Sequence, residues 1–256
     1  MKTVRDCLIY YALKYNGDWE KIYQAIRNKE TIDWDLYETY PQNLKDSAVA
    51  YSDPEYPEIL KEVFHPPFVL FTKGNKELLL KDKVSIIGTR QISEYGIEAT
   101  KMVVDSVYED FVVVSGMALG VDGCAHRETI AKGGNTIAVL ACSIDEIYPP
   151  ENEDLYYELC LNHLVISERA FKGFTRDDFP TRNRIIVGLS RALIVPEAYH
   201  RSGSTVSINL AIANNRDVLC VPQPFYTNSA NNFFINEGAF MVQNKKEIME
   251  ILKKNK

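Results

Sequence analysis

The chain has few of the residues that build disulfides, metal sites or membrane spans. Only 5 cysteines and 4 histidines occur among its 256 residues. The cysteines (Cys7, Cys124, Cys142, Cys160 and Cys220) are odd in number, widely spaced and contain no C-x-x-C pair. That pattern argues against a disulfide framework and against zinc, and the thiols read as small interior positions. No metal and no cofactor is expected. No apolar run approaches the length of a membrane span. The opening "MKTVRDCLIYYALKYNGDWE" mixes both charges early and leads to no small-residue cleavage site, so the layout of a signal peptide is missing. The expected location is cytoplasmic, without a membrane partner.

A surplus of positive charge is missing too. The formal net charge is −6, so there is no bulk basic field for nucleic acid. The basic residues are nevertheless concentrated. Between Arg169 and Arg201 there are seven Lys/Arg (169, 172, 176, 182, 184, 191, 201) against three Asp/Glu (177, 178, 197). Within this window, "FPTRNRIIVGLSRALIV" carries Arg182, Arg184 and Arg191 into an apolar, strand-like run. Arginine is rarely buried without a partner. These guanidinium groups are therefore either neutralised inside the fold or turned toward an external anion.

Apolar residues make up 46% of the chain and charged ones 25%, as in ordinary globular proteins. Residues 1–50 read as a small helical domain: "VRDCLIYYALKY", then "DWEKIYQAIRN" with Asp18 as N-cap, then a weaker helix in "WDLYETYPQNLKDSAVAYS". A unit this small is expected to pack on the rest of the chain. Residues 51–256 form the second domain. A strand, "FVLFTKG", is followed by a regular alternation. The strands are "VSIIG" (84–88), "FVVVSG" (111–116), "TIAVLA" (136–141), "LVIS" (164–167), "ALIVPEA" (192–198), "VLCVP" (218–222) and "AFMV" (239–242). The helices fall near 95–108, 122–132, 153–162, 204–214, 229–237 and 245–254, the last expected to dock on its own core. Near-continuous apolar strands are those buried on both faces of a parallel sheet. Strands alternating with helices indicate α/β with right-handed crossovers. The expected fold is Rossmann-like and doubly wound, mostly parallel, with its ligand outside the carboxyl ends of the strands.

Three of those ends are polar and glycine-rich: Gly88-Thr89-Arg90, Ser115-Gly116 through Gly120 to Gly123, and "EAYHRSGSTVS" with Arg201, Ser202, Gly203 and Ser204. Such turns let main-chain N–H groups approach an anion, aided by the following helix N-terminus. Gly116, Gly120 and Gly123 are spaced G-x-x-x-G-x-x-G rather than G-x-G-x-x-G, and no P-loop is present, so a dinucleotide is a poor fit. Several anion sites along one edge suit a nucleic-acid backbone. Phe179 beside Arg176, Arg182 and Arg184 offers a ring face for an unstacked base. Nothing presents a helix or ribbon to a major groove. Asp122 and His126, four apart on one predicted helix, could be a catalytic pair or a metal half-site, but with no further histidine nearby His126 reads as a hydrogen-bonded structural histidine. The hydroxyls of Ser202-Gly203-Ser204 have no adjacent base and read as a cap and phosphate contact.

With these residues assembled, the chain resembles the DprA/Smf family of DNA-processing proteins from about Tyr56 to Ala239. The resemblance rests on "YPEILKEVFHPPFVLFTKG", "VSIIGTRQIS", "VVVSGMALGVDGCAHRETIAKGGNTIAVLACSIDEIYPPEN", "FPTRNRIIVGLSRALIVPEAYHRSGSTVS" and "INEGA". It implies a non-enzymatic protein that binds single-stranded DNA, forms a homodimer, and loads RecA-type recombinase in natural transformation. By motif, Arg90 matches a backbone contact, Arg176 a basic contact and Phe179 a residue near a base. Arg182, Asn183 and Arg184 with Ser202-Gly203-Ser204 fall in the family's pocket. The pattern departs at Val221-Pro222-Gln223 (for Val-Pro-Gly), at Asn231-Asn232 (for Asn-Arg) and at Val195-Pro196-Glu197-Ala198 (for Val-Val-Glu-Ala). The winged-helix domain that follows in many members is not expected here. The arginine row is read as phosphate-facing, with Glu168 or Glu197 to neutralise any buried part of it.

Two rival readings use the same fold. One is a nucleotide-binding or nucleotide-hydrolysing enzyme. The residues after Gly203-Ser204-Thr205 are Val206, Ser207, Ile208 and Asn209, without the carboxylate such chemistry needs there, and Glu197 or Glu168 would have to substitute. The other is a defence-system adaptor.

Overall fold

The structure, a computed structural model, describes residues 2–200 and 202–254. In chain order the elements are α1 (Val4–Lys14), α2 (Trp19–Arg27), α3 (Trp34–Thr39), α4 (Gln42–Ser47), β1 (Ala48–Ala50), α5 (Glu58–Lys61), β2 (Val69–Gly74), β3 (Lys83–Ile86), α6 (Glu94–Val107), β4 (Val112–Ser115), α7 (Val121–Ala131) and β5 (Thr136–Val139). They continue with α8 (Glu153–Asn162), β6 (Leu164–Ser167), α9 (Asp178–Gly188), β7 (Ala192–Val195), α10 (Gly203–Ala213), β8 (Asp217–Cys220), α11 (Ala230–Asn236), β9 (Phe240–Met241) and α12 (Lys245–Lys254). No helix among the described residues is long and apolar enough to cross a membrane.

All nine strands join one sheet in the order β1-β2-β6-β5-β4-β3-β7-β8-β9. β3 through β9 run parallel, while β1 and β2 are antiparallel additions beside β6. From β3 the chain winds outward through β4, β5 and β6, then returns to lay β7 against the other side of β3. The winding reverses between β3 and β7, the switch point where open α/β sheets form a crevice.

Side chains alternate between the faces with period two. Val112, Val114, Ile137, Val139, Leu193 and Val195 pack against α5, α9, α10 and α11. On the opposite face Val113, Ile86, Ile194 and Leu219 meet α6, α7 and α12. Ala138 and Val165 on that face meet α1, α2, α4 and α8. The N-terminal helices thus share a core with the sheet. The last helix docks on its own core as expected: Ile248 and Leu252 are 0% and 2% exposed, worth about 1.5–3 kcal/mol each in apolar burial.

Two elements differ from the sequence reading. The weak third helix is two short ones, because Tyr40 precedes Pro41 and takes extended geometry. Its last residues, 48–50, form edge strand β1 instead. The second difference is α9, a helix that covers most of the arginine stretch. Pro180 sits in its first turn, where proline is tolerated. The β-branched run Ile185-Ile186-Val187 hides its helical character, because tertiary burial overrides propensity there.

Candidate nucleic-acid interface

The turns after β3, β4 and β7 meet at the switch point and are tied by main-chain bonds. Thr89 N–H donates to Glu197 C=O at 2.8 Å, and Val121 N–H to Thr89 C=O at 3.0 Å. The approach is so close that only glycine fits at 88. A Cβ there would lie 2.5 Å from the Glu197 carbonyl oxygen and from Val121 Cγ2. Gly120 has φ +79°, and a Cβ on it would press on the Thr89 carbonyl.

The turn after β4 leaves main-chain N–H groups free. Its carbonyls are held inward: Gly116 C=O accepts from Arg182 Nη1 at 2.9 Å, and Met117 C=O from Asn152 Nδ2 at 3.0 Å. Met117 has φ +57°. Among the described residues the N–H groups of 117–120 make no hydrogen bond within the chain. The following helix α7 has no side-chain cap, and neither has α10 after Ser202. Successive unpaired N–H groups at a helix start are what an anion-binding nest consists of. At α10, Ser202 Oγ is buried with no partner among the described residues, Gly203 is exposed and Ser204 is buried. Arg201 lies outside the described residues.

The arginines divide by burial. Arg182 is 6% exposed and lies under the β4 turn, donating to Gly116 and Val139 carbonyls and to Asn183 Oδ1. Its guanidinium and the Asp122 carboxylate flank Gly116, where a Cβ would come within 2.7 Å of both. Burial lowers Arg182 to about 10 and pushes Asp122 upward, the latter opposed by Arg182. Arg184 makes two 2.7 Å bonds to the Glu168 carboxylate. Arg169 pairs with Asp178, and Arg191 with Asp82 at 3.4 Å. The phosphate-facing row of the sequence reading is therefore largely internal: Glu168 does neutralise Arg184, as one alternative held. Arg90, Lys172 and Arg176 stand exposed at this edge, with no ion pair to an acidic residue among the described residues.

Arg90 places its guanidinium 5.2 Å from the centroid of Phe179. Phe179 is half-buried in a cluster with Tyr148 and Phe174, the centroids 5.1–5.7 Å apart. The sequence reading took Phe179 as the one aromatic at the basic run and missed these two. Phe174 was legible as a neighbour in "FKGFTRDDF", but Tyr148 comes from another loop and left no local signal.

Other expected site residues are structural. Ser115 donates to Ile86 C=O at 2.6 Å, and Thr89 is buried with its hydroxyl accepting from Gln91 N–H at 3.1 Å. Asp122 and His126 form no pair. His126 is fully buried with Nδ1 2.6 Å from Thr136 Oγ1, and burial lowers its imidazole to about 3. Glu197 is buried and accepts from Ser93 N–H at 2.9 Å, Ser93 Oγ–H at 2.7 Å and Tyr199 O–H at 2.8 Å. Two departures from the family pattern meet each other. Gln223 N–H donates to Asn232 Oδ1 at 2.8 Å, and Asn232 Nδ2 returns a bond to Gln223 C=O at 2.9 Å. No group of three His, Cys, Asp or Glu among the described residues is placed to hold a metal ion.

A family model described as DNA recombination-mediator protein A matches residues 47–253, most of the chain. The chain belongs to that family. DNA processing protein DprA of Streptococcus pneumoniae is 36% identical over 197 residues, 76% of this chain and 70% of the relative. The Bacillus subtilis DprA is 35% identical over 211 residues, 80% and 71% of the two chains. The solved S. pneumoniae DprA superposes on this DprA-family chain with TM-score 0.82 at 28% identity, covering 98% of each. DNA processing protein A from Helicobacter pylori, whose structure concerns a single-stranded DNA binding mode, superposes with TM-score 0.74 at 30% identity, covering 81% of this chain and 96% of that one. The expected Rossmann-like fold with its small N-terminal helical region is thereby shown.

Proposed function

We propose that the protein binds single-stranded DNA along the carboxyl edge of its sheet and acts as a mediator of recombination. The observation that carries the reading is the switch-point rim: unpaired N–H groups at 117–120, exposed Arg90 and Arg176, and the Tyr148–Phe174–Phe179 rings beside Arg90. Charge for a backbone and a ring face for an unstacked base are the two parts of a single-strand site. Arg182 and Arg184 serve that rim as supports that hold the strand ends and α9 in place. Gly88 and Gly120 give the close approach, Gly116 makes room for the Arg182–Asp122 pair, and Ser202 to Ser204 offer a second helix start. The single-strand binding mode of the H. pylori relative supports the reading.

Loading of a RecA-type recombinase in natural transformation, in the cytoplasm, is part of the same proposal, as is a homodimer. Edge strand β9 supports the dimer: Phe240 and Met241 are 45% and 51% exposed on an unpaired sheet edge, an arrangement that favours pairing with another chain. Hydrolysis of a nucleotide is disfavoured because Glu197 and Glu168, its two candidate carboxylates, are already committed to Ser93, Tyr199 and Arg184.

The test is fluorescence anisotropy of a labelled oligo-thymidine strand and its duplex at two salt concentrations. Preferential, salt-dependent binding of the single strand is expected. Equal affinity for the duplex, or no binding at low salt, refutes the proposal.

A further inference from the structure

The turn after β8 carries a pair of aromatic rings to which neither the switch-point rim nor the family pattern assigns a task. Phe225 is 95% exposed and Tyr226 77%, the former more than any other large apolar side chain described. Their rings meet edge to face at 5.4 Å, which leaves a ring face open. The turn under them is built rather than slack. Thr227 N–H and Oγ1–H donate to Pro224 C=O at 3.0 and 2.7 Å. Gln223 Nε2 donates to Pro196 C=O at 2.8 Å, and the Gln223–Asn232 exchange closes its base. The turn is also continuous with the rim. Tyr95, in the first turn of the helix after Arg90, donates to Pro222 C=O at 2.6 Å. Tyr199 of the β7 turn bridges to Ser229.

Residues 222–236 contain no charged side chain. A tip rich in amides and rings has faces and edges for bases and no cation for phosphates. It lies on the far side of the switch point from Phe179. β5 and β8 are four strand intervals apart in the sheet, about 19 Å at the usual spacing. Resting on the single-strand reading above, we propose that Phe225 and Tyr226 form a second base-stacking platform, so that a strand is gripped by rings on both flanks and by charge in the middle.

The experiment compares the full chain with the Phe225→Ala/Tyr226→Ala variant. Both side chains are exposed, so the fold is retained, which circular dichroism checks. Anisotropy is read with oligo-thymidine of about 5 and about 15 nucleotides, lengths that span common single-strand site sizes. The longer strand is expected to bind the variant more weakly, on the order of tenfold, the loss usual for removal of a stacking ring. The slope of log affinity against log salt is expected to stay as in wild type, because no phosphate contact is removed. The shorter strand is expected to lose little. Unchanged affinity for the longer strand overturns the platform while leaving the rim reading intact. So does unchanged affinity with an altered sedimentation coefficient, which would assign the tip to a protein contact. A fall in salt slope also overturns it. If wild type binds no single strand at all, the rim reading fails first and the platform with it.

Discussion

The Arg182→Met substitution separates a supporting arginine from a phosphate contact. In the structure this guanidinium lies beneath the β4 turn and shares with the Asp122 carboxylate the space that a Cβ on Gly116 would fill. Removing it leaves a 6%-exposed carboxylate held by the main-chain N–H groups of Gly116, at 3.1 Å, and Gly88, and leaves the Gly116 and Val139 carbonyls without their side-chain donor. Loss of one partner from a buried charge pair costs about 3–5 kcal/mol. With a urea slope of about 3 kcal/mol per molar for a chain of this size, the midpoint falls by roughly 1–1.7 M. Asp122→Asn added to the same variant removes the stranded charge, and part of the midpoint should return. The two variants are followed by urea titration with circular dichroism, and the folded fraction by anisotropy at several salt concentrations. For a supporting residue the salt slope stays near the wild-type value. A variant of wild-type stability whose slope falls by about one unit would show that Arg182 faces a phosphate, and the assignment made from its burial would be wrong.

Three further outcomes follow from the same geometry. Arg90→Ala should leave the stability from urea titration within about 0.5 kcal/mol of wild type, as for exposed residues generally, but should lower the salt slope of single-strand binding by about one unit; an unchanged slope would remove Arg90 from the contact. Met241→Glu should drive a dimer toward monomer in sedimentation equilibrium by placing charge on the β9 edge, and a dimer that persists at the same concentration would locate the interface elsewhere. His126 is lowered to about 3 from an ordinary 6.5. The unfolded chain therefore takes up a proton that the folded chain refuses as pH drops below 6.5. Stability should be lost progressively from there down to about pH 3, about 2 kcal/mol of it by pH 5. Urea midpoints at pH 7 and pH 5 in wild type and His126→Gln read this; an equal pH response in both would refute it.

The parallel sheet was legible because its strands are uninterrupted apolar runs separated by helical periods. "FVVVSG" and "TIAVLA" announce both the strand and the turn that follows it. The glycine turns at 88 and 116–120 were legible for a related reason, since a strand that ends in glycine marks a close approach. What remained hidden lay in pairings across the chain. Arg182 meets Gly116, 66 residues away, and no local pattern marks that contact; the Arg184 bond to Glu168, 16 residues away, was one of the two pairings the sequence reading offered. Tyr148 joins Phe179 from a loop between β5 and α8, so the aromatic cluster had no signature in the basic window. The helix α9 was masked by its own β-branched residues, which serve the core rather than the local backbone.

On the proposed function, that helix also explains how an acidic chain can present an anion site. Turning Arg182 and Arg184 inward removes them from the surface, yet each fixes a strand end or the acid beside one. With the Gly116 and Met117 carbonyls held by Arg182 and Asn152, the N–H groups of 117–120 are left without a hydrogen-bond partner among the described residues. A helix start and aligned N–H groups carry partial positive charge that does not appear in any count of lysines and arginines. Exposed Arg90, Lys172 and Arg176 add their charge to that field, and long-range repulsion from a net charge of −6 is screened beyond about 10 Å at ordinary salt. The site is thus a local property of main-chain geometry. It should bind weakly to phosphate at any one position and gain its affinity from several contacts made along one strand, which is why salt slope and strand length, rather than a single dissociation constant, are the quantities that report on it.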